Sequence, residues 1–277
     1  MGFNIESPWW KLAIVAGLIG MREFVRLLSP REIGTEGNET GKWLVETLDS
    51  ATIAIALVLF VIQPFILQAF YIPSGSMEDT LRISDRLLVS RLIYRLREPE
   101  FQDVVVFEAP EAALQPPHTD FIKRCMGTPG DVVEMRNGRF FRNGNFVPEP
   151  YKLWNGPNLF YDMKIVGGAV YSRDYLAPGQ PPDKWKQNNI AASDADQARI
   201  TLAAPGKVPQ GFLLMLGDHR SNSNDGHVWG FAPRQNVVGK AICVFWPPTR
   251  LGLVDSLTFH PRPHQSAVTT QGMALSQ

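Results

Sequence analysis

The chain has 277 residues, 27 basic and 27 acidic, with 44% hydrophobic and 19% charged residues and a formal net charge of zero. That length and apolar share can bury one large core or two modest ones and exclude disorder as the dominant state, while the charge balance excludes the basic footprint of a dedicated nucleic-acid binder. Two cysteines exclude a disulfide framework or a four-cysteine zinc site.

Near the N-terminus, Leu12–Met21 is uncharged but too short to span a bilayer comfortably, and Arg22-Glu23 follow at once. With Trp9 and Trp10 as headgroup anchors it reads as an interfacial or partly inserted helix. It lacks the basic start and small-residue site of a cleaved signal peptide. From Ser50 to Met77 there is no Asp, Glu, Lys or Arg. Within that window residues 51–70 are expected to form a transmembrane helix, which at about 1.5 Å per residue reaches roughly 30 Å. Arg22, Arg26, Arg31 and Lys42 lie between the two apolar runs and place residues 1–50 on the cytoplasmic side. Residues 71–259 are then expected outside the cytoplasm.

That body reads as mainly β. Arg86–Ser90, Asp103–Phe107 and Asn236–Trp246 are short apolar or β-branched runs bounded by charge or proline. Asn137-Gly138 between Val132–Arg136 and Arg139–Arg142 predicts a hairpin, since Asn-Gly suits the positive φ angles of a type I′ turn. Residues 148–209, rich in Pro, Gly, Asn and Asp, read as an inserted irregular β subdomain, and residues 260–277 as a disordered polar tail.

Three segments hold reactive residue types. In Ile72-Pro-Ser-Gly-Ser-Met-Glu-Asp-Thr-Leu81, an extended backbone would put Ser74 and Ser76 on one side, one hydroxyl to attack and one to stabilise an oxyanion. A simple turn out of the membrane helix is the plainer alternative. In Asp120-Phe-Ile-Lys-Arg-Cys-Met126, period-two alternation sets Phe121, Lys123 and Cys125 opposite Ile122, Arg124 and Met126, so only one of the adjacent cations needs solvent. A desolvated Lys123 would be a usable base near neutral pH, whereas a snorkelling lysine would not. Asp218–Asp225 is a dense polar loop between a strand and Trp229-Gly230. His219 and His227 flank Asp225 without further clustered ligands, so no metal and no cofactor is expected.

Taken in order, these segments resemble type I signal peptidases, the bacterial leader peptidases of serine protease family S26, over about Trp43 to Pro248. The resemblance rests on Ser74-Gly-Ser76-Met77 with Thr80-Leu81, on Leu81-Arg-Ile-Ser-Asp85 with Leu87, Val89 and Tyr94, on Phe121-Ile-Lys-Arg124 with Gly127-x-Pro-Gly-Asp131, and on Gly217-Asp-x-Arg-x-x-Ser-x-Asp225. His227-Val-Trp-Gly230 is similar to the cyanobacterial and plastid branch. The resemblance implies a membrane-anchored β catalytic domain with Ser76 as nucleophile, Lys123 as general base, Ser74 helping the oxyanion hole and Ser223 orienting the amine. It implies a shallow pocket from Phe70, Ile72, Pro73, Met77, Leu81, Phe121 and Ile122, and a structural polar loop of Asp218, Arg220 and Asp225. Expected partners are the signal peptides of exported preproteins, cut after Ala-x-Ala-type small residues, the lipid bilayer of a plasma or thylakoid membrane, and the secretion translocon; nucleic acid is not expected. Departures from the family pattern are Asp79, Ser84, His219, Gly226 and His227, and the last two remove an ion pair to Asp225. The alternative reading is a catalytically inactive membrane-anchored binding or assembly protein with the same fold.

Overall fold

A computed structural model describes residues 9–28, 39–62, 66–78, 80–153, 160–175, 183–188 and 206–255. Asp79, the tail from His260 and much of 148–209 lie outside the described residues. The chain divides into two compact units, residues 1–68 and 69–277.

The first unit pairs α1 (Trp9–Leu28) with α2 (Glu39–Leu57), which continues as a π-helical turn over Val58–Ile62. Arg22 Nε meets Asp49 at 2.6 Å across the pair. Trp43–Phe60 is long and apolar enough to cross a membrane, with mean hydropathy 1.7 and none of it buried. The helix expected over 51–70 is therefore displaced towards the N-terminus: it begins at Glu39, and Leu67–Tyr71 forms strand β1 instead. A run without charges carries no helical period, so its length alone does not fix where a helix ends.

The second unit is a mainly β body of two sheets. Among the described residues the larger has eight strands in the order β1, β2 (Arg86–Ser90), β13 (Val237–Trp246), β3 (Val104–Glu108), β4 (Asp120–Gly127), β11 (Phe212–Leu216) and β12 (Ala232–Pro233), with β14 (Gly252–Leu253) also on β13. β3 and β4 run antiparallel with Val105 opposite Lys123 and Val106 opposite Ile122, and β11 flanks β4 with Leu216 opposite Arg124. The expected alternation along β4 holds: Cys125 joins the apolar cluster of Phe107, Met215 and Trp229, while Met126 packs into a separate cluster with Phe140, Tyr161 and Leu214.

The smaller sheet has six strands in the order β10 (Lys186–Gln187), β9 (Ala169–Tyr175), β8 (Phe160–Val166), β5 (Val133–Arg136), β6 (Arg139–Arg142) and β7 (Asn145–Phe146). The β5–β6 hairpin turns at Asn137 (φ 51°) and Gly138 (φ 68°), as the Asn-Gly pair predicts. The segment read as irregular contributes a regular seven-pair hairpin, β8–β9, turning at Gly167 (φ 56°) and Gly168 (φ 79°). Gly-Gly between two β-rich runs is the same hairpin signal, obscured by the surrounding loop-forming residues.

Candidate active site

Tyr71 ends β1, and the chain then loops out and returns: Ile72 N donates to Asp85 O at 3.0 Å and Ser84 N to Ile72 O at 2.9 Å. Inside the loop Glu78 N donates to Gly75 O at 3.1 Å and Leu81 N to Met77 O at 2.8 Å, closing consecutive turns. This curl buries Ser76 to 7% exposure and leaves Ser74 at the surface. The backbone here is a turn, so the extended conformation on which a shared side for the two serines depended is not the one adopted.

Lys123 comes from the middle of β4 and is 4% exposed. Its Nζ donates to Ser76 Oγ at 2.7 Å and to Ile122 O at 3.1 Å, and lies 5.0 Å from the centroid of the Phe121 ring. Burial lowers the amine to about 8 from its ordinary 10.5, although the carboxylates of Asp225 and Asp218 pull the other way. A hydroxyl thus meets, in a buried place, an amine that gives up its proton far more readily than an ordinary lysine, which is the arrangement a serine nucleophile needs.

Neither of the adjacent cations reaches solvent, contrary to the expectation that one would. Arg124 is 1% exposed and donates through Nε to Asp218 Oδ1 at 2.8 Å and through Nη2 to Asp218 Oδ2 at 2.5 Å. Its guanidinium stacks 3.9 Å from the Tyr151 ring centroid, and Thr80 Oγ1 donates to Asp218 Oδ2 at 2.6 Å. One buried carboxylate therefore ties β4 to the turn that carries Ser76 and to the polar loop. Sequence reasoning missed this role for Arg124 and Thr80; a second buried cation beside the base, which demands a buried acid, was the available signal.

The polar loop is held from within. Arg220 donates through Nε to Gly217 O at 2.9 Å and through Nη2 to Glu149. Asp225, fully buried, accepts from Gly217 N at 2.7 Å and from His227 N at 3.1 Å, and pairs with His227 Nδ1 at 2.7 Å. Burial would raise that carboxyl, but the neighbouring His227 ring and these hydrogen bonds hold it below the ordinary value. The departure at 227 thus supplies a new partner for Asp225, and the His227 ring stacks on Tyr161 at 4.0 Å and 8°. Gly217 has no room for a side chain: a Cβ there would lie 2.2 Å from Ser223 Oγ and 2.5 Å from Ser76 O.

Two expected roles look different in place. Ser223 Oγ is buried and helps keep Asp225 ionised, yet reaches no partner at full hydrogen-bond geometry among the described residues, and Lys123 donates to the Ile122 carbonyl instead. Of the expected pocket residues, Phe70, Phe121 and Ile122 are half-buried and Pro73 is exposed. Ile72, Met77 and Leu81 are instead buried in a core with Leu87, Val89 and Val244, against which Phe70 and Ile122 pack.

A family model described as signal peptidase, peptidase S26, matches residues 44–246. The chain belongs to that family. Signal peptidases of this kind similar to it include the probable signal peptidase I-2 of Synechocystis sp., 37% identical over 73% of this chain and 74% of that one. The signal peptidase I of Leptolyngbya laminosa is 35% identical over 73% and 80%. The chloroplastic thylakoidal processing peptidase 1 of Arabidopsis thaliana is 30% identical over 74% and 47%. The likeness of His227-Val-Trp-Gly230 to the cyanobacterial and plastid branch agrees with these relatives. Among the described residues of this signal peptidase, no group of three His, Cys, Asp or Glu side chains could hold a metal ion.

Proposed function

We propose that the protein is a signal peptidase I that cuts signal peptides from exported preproteins with Ser76 as nucleophile and Lys123 as general base. The observation that carries this is the 2.7 Å approach of Lys123 Nζ to Ser76 Oγ in a buried site. The neutral amine takes the Ser76 proton as Oγ attacks the scissile carbonyl carbon. The ammonium then gives that proton to the departing amine, leaving an acyl-Ser76 ester. The amine next activates water to hydrolyse the ester. The Ser76 backbone N–H and the Ser74 hydroxyl, at the surface until substrate covers it, stabilise the oxyanion.

Phe70, Phe121 and Ile122 form apolar walls that favour Ala-x-Ala-type sequences before the cut. Helix α2 anchors the protein in a plasma or thylakoid membrane, and the arginines and lysine before it put the catalytic body on the extracytoplasmic side, in reach of preproteins at the secretion translocon.

Ser76→Ala and Lys123→Met should each abolish preprotein cleavage by the detergent-solubilised full chain while circular dichroism stays that of the wild type. Near-wild-type turnover by either folded variant would refute the dyad.

A further inference from the structure

Beside the dyad lies a histidine that the reaction above does not use. His219 is buried, and its backbone N–H donates to Ser76 O at 3.1 Å. Its ring Nδ1 lies 3.2 Å from Gly75 O and 3.5 Å from Glu78 Oε2. A carbonyl and an ionised carboxylate can only accept, so a contact with either requires the proton on Nδ1. Nε2 is buried with no partner among the described residues. A bare ring lone pair is tolerated there better than an orphaned N–H, which favours the same tautomer.

We propose that His219 is a positioning residue for the nucleophile turn, its Nδ1–H and backbone N–H together clamping the carbonyls of Gly75 and Ser76. The proposal rests on Ser76 being the nucleophile. The clamp has a rigid base: Asp218, the preceding residue, is fixed by Arg124 and Thr80, and His219 itself bridges to Leu153. Glu78 completes it from the open side. Its Oε2 is a second acceptor facing Nδ1 at 3.5 Å, and a Cβ on Gly75 would sit 2.9 Å from it, so ring and acid close on the same turn. Fixing the carbonyls on either side of the Ser76 Cα fixes the direction of the Ser76 N–H, which shares a plane with the Gly75 carbonyl, and the origin of its side chain. Both must be set before Oγ can lie in line between the lysine amine and a substrate carbonyl.

The test uses the full chain in detergent micelles with a preprotein substrate. His219→Phe keeps the planar ring and removes the donor; it should lower kcat by about tenfold or more with KM within about twofold, the mark of lost alignment and not of lost binding. His219→Asn, which offers an amide N–H, should restore kcat to within about threefold of the wild type. Nitrogen-15 NMR of histidine-labelled Ser76→Ala protein at mildly alkaline pH should show His219 as the Nδ1–H tautomer, and this decides the matter alone if His219→Phe does not fold. Unchanged kcat in folded His219→Phe, a loss appearing equally in KM, or an Nε2–H tautomer would each overturn the clamp. Retained cleavage by Ser76→Ala would instead overturn the reading of the site, with the tautomer still reporting the His219 contact.

Discussion

Lys123 can act as a base because its surroundings refuse its charge. With burial holding the amine at about 8, the neutral form grows as pH rises through that value, so kcat/KM should climb across a single-proton limb centred near pH 8. A pH–rate profile checks this, and a limb centred near the ordinary lysine value would show that the amine is not desolvated in solution. The same burial costs stability. The unfolded chain holds the lysine proton more tightly than the fold does, so stability rises with pH between about 8 and about 10.4 and the full cost applies below that window. Lys123→Met, nearly the same shape without the charge, should therefore stabilise the inactive protein at neutral pH by up to about 3 kcal/mol, read by urea denaturation. At this scale the sequence was most informative, since serine, lysine and polar loop were all legible as residue types in order. The turn that separates Ser74 from Ser76 was not legible, because its two closing hydrogen bonds depend on the path between β1 and β2.

At the scale of elements, the site is an intersection of three segments pinned by one buried ion pair. Arg124 on β4 and Thr80 after the nucleophile both bond Asp218 in the polar loop. Arg124→Met would leave the Asp218 carboxylate buried and uncompensated, which should destabilise the protein by about 3–5 kcal/mol and cut turnover as the three segments drift apart. Thermal unfolding and kcat of the folded fraction check the two effects separately. If stability held, Asp218 would have another way to be neutralised. Strand patterning predicted β4 well, including its two faces, because alternation is a local property. It could not say that Arg124 points at an acid far along the chain. The β8–β9 hairpin was obscured for another reason: its Gly-Gly turn sits among loop-forming residues that mask the two runs.

At the scale of the whole molecule, the helical unit and the β body are separate compact units, and all three apolar cores of the body begin at Phe70 or later. A fragment starting at Ile66 should keep the β-type circular dichroism spectrum and a single cooperative unfolding transition. It should fail to sediment with lipid vesicles that carry down the full chain, because the apolar Trp43–Phe60 window has been removed. A fragment that aggregated with its cores exposed would show that the helices are part of the folded body.

The inventory of chemistry and the presence of a long apolar helix were settled in the primary structure, since they depend on residue types, short-range period and uncharged length. The boundaries of that helix were not: apolar character alone cannot separate the end of a helix from a first buried strand, and Leu67–Tyr71 became strand β1 beside β2. Folding alone also decided which charges lie buried together. Long-range pairing brings Lys123 to Ser76 and Arg124 to Asp218, while a buried local turn sets His227 on Asp225, two residues before it. Burial then lowers the Lys123 amine, makes the Arg124–Asp218 pair a brace and leaves Asp225 hydrogen-bonded to His227. The dielectric environment that distinguishes those outcomes exists only once the strands have closed around them.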